Sequence, residues 1–89
     1  MPTIHVLIKG KVQGVFYRAS AKEAAERCHL SGWIKNTPEG HVEALASGGE
    51  EDLRRWVEWC RKGPDRAVVK ELIVTEAAPA DLKGFVIVR

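Results

Sequence analysis

The sequence is poor in side-chain amides, in cysteine and in long apolar runs. Its 89 residues include one asparagine, Asn36, and one glutamine, Gln13. The two cysteines, Cys28 and Cys60, form no CxxC pair, and nothing at the start of the chain reads as a secretory leader, so no disulfide framework is expected. Met1-Pro2-Thr3-Ile4-His5 lacks a basic n-region, and the apolar run after it stops at Ile8. No stretch approaches the roughly 20 apolar residues of a membrane span. A cytoplasmic protein is therefore expected. His5, His29 and His41 match no ligand spacing, so no metal is expected. Lys and Arg number 14 against 12 Asp and Glu, with no basic run, which argues against nucleic acid and membrane surfaces as partners.

What is present reads as one small domain, residues 1–89, with a compact core and no room for a large enclosed cofactor. Ile4, Val6 and Ile8 alternate, predicting a central strand over 3–9. From about Arg18 to His29 the period changes. Ala21, Ala24, Ala25 and Cys28 recur at i, i+3, i+4 and i+7, a helical stripe opposite Lys22, Glu23, Glu26 and Arg27. Ser20-Ala21-Lys22-Glu23 also fits a capping box, which would start that helix slightly later. Residues 31–36 and 41–47 read as strands around Thr37-Pro38-Glu39-Gly40, a type I turn closed by a left-handed glycine. Glu50-Glu51-Asp52 begins a second helix and Arg61-Lys62 ends it before Gly63-Pro64, with Leu53, Trp56, Val57 and Cys60 as its apolar face. Strands follow at 68–74 and 85–88, with a linker at 77–80.

This order, β-α-β-β-α-β plus a short final strand, predicts an α+β ferredoxin-like sandwich: an antiparallel sheet with two antiparallel helices on one face. Antiparallel helices would carry Cys28 and Cys60 to opposite ends, beyond the roughly 7 Å that a disulfide tolerates.

Two segments carry chemistry. Gly10-Lys11-Val12-Gln13-Gly14-Val15-Phe16-Tyr17-Arg18 links a strand to a helix. Its glycines allow a tight turn, its amides at a helix start form an anion nest, and Arg18 adds a planar charged fork suited to phosphate, with Lys9 and Lys11 beside it. Neither GxxxxGK[ST] nor GxGxxG is present. The second segment ends at Asn36, just before the turn. The residues alone leave two readings open at each place. The loop is an anion site or an ordinary glycine connection with a solvated arginine. Asn36 is a functional amide or a turn residue. The lone Gln and the lone Asn fall inside these two segments.

Gly10-x-Val12-Gln13-Gly14-Val15-x-Tyr17-Arg18 resembles the first signature of acylphosphatases. Gly32-Trp33-Ile34-Lys35-Asn36-x-x-x-Gly40-x-Val42, with Gly48, resembles the second. The likeness runs from about residue 4 to 88, with Tyr17 where Phe or Met is more usual and Ile34 where Val, Ala or Cys is. The resemblance implies a five-stranded sheet and a monomeric enzyme without cofactor that hydrolyses an acyl phosphate to carboxylate and inorganic phosphate. It assigns the phosphate to Arg18 and to the loop amides of Gly14, Val15, Phe16, Tyr17 and Arg18, and the attacking water to Asn36.

Two rivals remain. An RNA-binding module of the same element order stacks bases on aromatics of its first and third strands. Residues 3–9 and 41–47 contain no Phe, Tyr or Trp, which counts against it. A non-catalytic phosphate-ligand binding or regulatory domain of the same fold needs the cradle but not Asn36.

Overall fold

A computed structural model of the chain describes residues 1–88. Five strands and two helices follow in the order β1 (Thr3–Lys11), α1 (Tyr17–Arg27), β2 (Ser31–Asn36), β3 (Val42–Ser47), α2 (Glu50–Lys62), β4 (Val68–Ala77) and β5 (Phe85–Ile87). They form one sheet in the order β4-β1-β3-β2-β5 with the helices packed on it, the α+β ferredoxin-like architecture. The first four strands pair antiparallel, and β5 joins β2 in parallel.

The alternation in β1 has the expected consequence. Val6 and Ile8 are fully buried and Ile4 packs partly against them. Register extends this face across the sheet. Val6 lies opposite Ala44, which lies opposite Ile34; Ile8 lies opposite Val42, which lies opposite Asn36. Asn36 therefore continues a core-facing row at the end of the sheet where β1 runs into the glycine loop. Above this face, the small residues Ala21, Ala24 and Ala25 let α1 approach closely, and Trp56 of α2 fills the interior. The Trp56 indole N–H donates to the Ala21 carbonyl at 3.0 Å, and its ring meets Phe85 edge-on at 5.6 Å.

Helix α2 matches its predicted span, with three acids in its first turn and two cations in its last. Helix α1 does not. It starts at Tyr17, with Phe16 as N-cap and no side-chain cap, because the Ser20 amide already donates to the Phe16 carbonyl inside the first turn. Ser20 is thus helical and cannot cap. The helix ends before His29, which adopts φ 58. The Leu30 amide donates to the Ala25 carbonyl and the His29 amide to the Glu26 carbonyl, the reciprocal pair of a Schellman end, with Leu30 buried beneath it. Strand β4 continues through Ala77, which pairs with Thr3, so the linker starts one residue later than predicted. Cys28 and Cys60 are free thiols. Burial pushes the Cys60 thiol up to about 12.

The passage from β1 into the loop depends on Gly10. It has φ 135 at a register shift in the β1–β4 ladder, and a Cβ there would lie 2.1 Å from the Val68 carbonyl oxygen. Backbone strain and forced displacement together predict that Gly10→Ala costs roughly 3–5 kcal/mol. Thermal melts should show a fall of about 15–30 °C for a domain of this size; a loss of under about 5 °C would contradict the close approach.

On the other sheet face, the His5 ring donates from Nε2 to Glu43 Oε2 at 2.7 Å, and Lys35 Nζ lies 3.6 Å from Glu43 Oε1. The bond from His5 holds the Glu43 carboxyl below its ordinary range, against the opposing effect of burial and with help from Lys35. A carboxyl with a lowered folded pKa stabilises the fold above its unfolded value, about 4.3, and loses that contribution as pH falls through the folded value. Glu43→Gln should cost roughly 0.2–1 kcal/mol at neutral pH. The gap to wild type in melts should close in acid; a gap unchanged at pH 2 would show that the carboxylate charge is not its source.

Among the described residues, no helix is long and apolar enough to cross a membrane, and no three His, Cys, Asp or Glu side chains gather where a metal could be held.

Candidate active site

The loop between β1 and α1 is held from below. Val12 and Val15 are buried, and Tyr17 is 1% exposed. Between these anchors the backbone enters the left-handed region twice, with Gly14 at φ 74 and Phe16 at φ 61. For a side chain such as Phe this conformation costs about 1–3 kcal/mol, a strain that concentrates at functional sites. Phe16 is also 80% exposed, so burial of its ring does not offset the strain. The strained residues stand immediately before the first turn of α1. The first α1 amide to reach a helical carbonyl is that of Ser20, 3.1 Å from Phe16. The preceding first-turn amides have no helical carbonyl to reach, the situation in which helix starts can bind anions.

Beside this turn lies a cleft of about 500 Å³ lined by Gly14, Phe16, Tyr17, Arg18 and Asn36, with Val12, Ala19 and Ile87 completing the wall. The volume falls in the range of small-ligand sites. Arg18 and Asn36 thus share one cavity, although one starts α1 and the other ends β2. Among the described residues no Asp or Glu forms an ion pair with Arg18, so its charge is available to an anion. Lys9, expected to add positive potential, is 3.7 Å from Glu71 and so is partly countered.

Of the five loop residues singled out in the sequence, four line the cleft. Val15 does not: its side chain is in the core, so it can offer only its backbone amide. Trp33 faces the opposite side of the sheet, with Lys35 Nζ 5.3 Å from its ring centroid, and takes no place in the cleft wall.

Two further residues shape the site. The Gln13 side-chain amide donates to the Thr37 carbonyl at 3.1 Å and to the His41 carbonyl at 2.8 Å. It ties the loop between β1 and α1 to the turn that follows Asn36 and so fixes the two sides of the cleft against each other. Its place as the lone glutamine inside the first motif was the available signal. Ile87 reaches the wall because β5 pairs in parallel with β2, Ile34 opposite Ile87. Nothing in the local pattern of residues 85–88 announced that.

The Acylphosphatase family model matches residues 4–87. The chain belongs to the acylphosphatase family. It is 45% identical over 85 residues to an acylphosphatase of Gloeobacter violaceus, covering 96% of this chain and 91% of the relative. A second, from Syntrophus aciditrophicus, is 47% identical over 76 residues, 85% of this chain and 79% of the relative. Among solved structures, the crystal structure of acylphosphatase from Bacillus subtilis superposes with a TM-score of 0.96 at 34% identity, covering all of both chains. Acyl phosphate hydrolysis is the activity these likenesses support, and the non-catalytic reading is not favoured.

Proposed function

We propose that the cleft hydrolyses acyl phosphates with Arg18 and the amides of residues 14–18 on the phosphate and Asn36 on the attacking water. The observation that carries this reading is the shared cavity: a charged fork on an amide-lined loop and a single neutral amide face the same space.

The chemistry needs little more. An acyl phosphate is a mixed anhydride, and its leaving carboxylate is stable near neutral pH because carboxylic acids ionise around pKa 4. General-acid help is therefore dispensable. The water oxygen bonds to phosphorus as the bond from phosphorus to the carboxylate oxygen breaks, and the water's proton passes to an oxygen of the substrate's own phosphate. The phosphoryl group crosses a loose transition state with charge on its equatorial oxygens, where Arg18 and the loop amides stabilise it. The Asn36 carbonyl accepts a hydrogen bond from the water and aims it in line. No metal takes part in this scheme. A single chain supplies every wall of the cleft, which supports a monomeric enzyme, and its nearly balanced charge supports a small-molecule substrate over nucleic acid.

Benzoyl phosphate hydrolysis with EDTA present tests the scheme. Fast, EDTA-resistant turnover with inorganic phosphate as a competitive inhibitor is expected. A folded protein that binds phosphate without turnover would instead establish a binding domain and retire the role of Asn36.

A further inference from the structure

The end of α2 lies against the anion loop through one hydrogen bond. The Tyr17 hydroxyl, buried, donates to the Cys60 carbonyl at 2.7 Å. That carbonyl belongs to the last turn of α2, where helical partners run out. The Trp59 carbonyl still receives the Gly63 amide at 2.8 Å. The Cys60 carbonyl has no such donor, because the residue four positions on is Pro64, which has no N–H. A buried carbonyl left unpaired is costly, and the Tyr17 hydroxyl supplies the missing donor.

The surroundings are shaped to that ring. Gly63 has φ 69, and a Cβ there would lie 2.8 Å from Tyr17 Cε2. The Trp59 ring packs on it with centroids 5.7 Å apart. The combination Cys60, Gly63 and Pro64 therefore forms a socket: a carbonyl without a helical donor, a position without a side chain, and an imino acid that keeps the carbonyl open. Burial raises the Tyr17 phenol well above its ordinary value, so it remains a proton donor throughout the working pH range.

Tyr17 stands between Phe16, the left-handed N-cap, and Arg18. A strained backbone persists only when its surroundings hold it. We propose that Tyr17 is a positioning residue for phosphate: its hydroxyl, locked into the α2 socket, holds the Phe16–Arg18 backbone so that the loop amides and the Arg18 guanidinium converge on one anion. This rests on the reading of the cleft as the phosphate site. It extends the catalytic apparatus to the C-terminus of α2, which does not touch the substrate.

The test is Tyr17→Phe, which keeps the ring and removes only the hydroxyl. Inhibition by inorganic phosphate, kcat and KM for benzoyl phosphate, and thermal melts are measured together. The phosphate inhibition constant and KM should rise about tenfold, with a lower melting temperature. Trp56→Phe is the control, because it removes the other buried side-chain hydrogen bond between the two helices, from Trp56 to the Ala21 carbonyl. It should melt at least as far below wild type while its phosphate inhibition constant stays within twofold. Gly63→Ala, which drives a methyl group against the Tyr17 ring, should weaken phosphate as Tyr17→Phe does and serves if that variant does not fold. A wild-type inhibition constant in either folded variant would overturn the proposal, as would a Trp56→Phe constant that rises in step with its loss of melting temperature. Arg18→Ala, run alongside, separates the two ideas. Phosphate binding unaffected by that change refutes the site itself; binding lost in Arg18→Ala but untouched in Tyr17→Phe refutes only the role of Tyr17.

Discussion

Arg18→Ala should lower kcat/KM for benzoyl phosphate by roughly 10³ and weaken inhibition by inorganic phosphate at the same time. Removing one preorganised donor from such a site typically costs about 10²–10³ in rate, and Arg18 supplies more than one donor together with a permanent charge. Both effects are expected because the guanidinium meets the phosphate in the ground state and in the transition state. Arg18→Lys separates charge from geometry. A lysine keeps the charge but loses the planar fork, so it should recover part of the phosphate affinity and leave kcat about 10–10² below wild type. Steady-state kinetics with phosphate as inhibitor measure all of these quantities. Full activity in Arg18→Lys would mean that charge alone matters, and full activity in Arg18→Ala would remove the residue from the site.

The second large effect is expected at Asn36 and has a different signature. Asn36→Ala should lower kcat by about 10²–10³, the usual range for a lost positioning group, while the phosphate inhibition constant stays within a few-fold of wild type. In this scheme the amide acts on the water and not on the phosphate. Asn36 lies in the register row of Ile8 and Val42, at the end of β2, and lines the same cleft as Arg18. A phosphate inhibition constant that collapses together with kcat would show that Asn36 binds the anion directly and would reassign the water to another group.

Neither effect comes from the side chain alone. The strained backbone at Phe16 is offset by anchors on both sides: Val15 and Tyr17 in the core, and Gln13 bonded to the Thr37 and His41 carbonyls. The proposed site is two short segments clamped together by their neighbours, an arrangement in which few functional groups can suffice. A mixed anhydride with a good leaving group needs positioning and charge more than acid–base chemistry.

The sequence by itself determined whatever depends on near neighbours. Period-two alternation marked β1, and the turn at Thr37-Pro38-Glu39-Gly40 marked the hairpin strands. Acids before and cations after an apolar stripe bounded α2 to the residue. These signals are local because side-chain direction repeats within a turn or a pleat, and because helix ends interact with charges within one turn. Only the tertiary structure decided the rest. The start of α1 is set by the left-handed Phe16 and not by the Ser20 capping pattern, and its end by a Schellman turn at His29, a position the periodicity had read as helical. The parallel docking of β5 beside β2, which brings Ile87 into the cleft, depends on packing and not on the three residues of that strand. The bonds from Gln13 to Thr37 and His41 and from Tyr17 to Cys60 join positions 24, 28 and 43 residues apart. No local period encodes such pairs. They form because the fold places carbonyls of one segment beside side-chain donors of another, and a buried polar group must find its partner wherever the fold brings one.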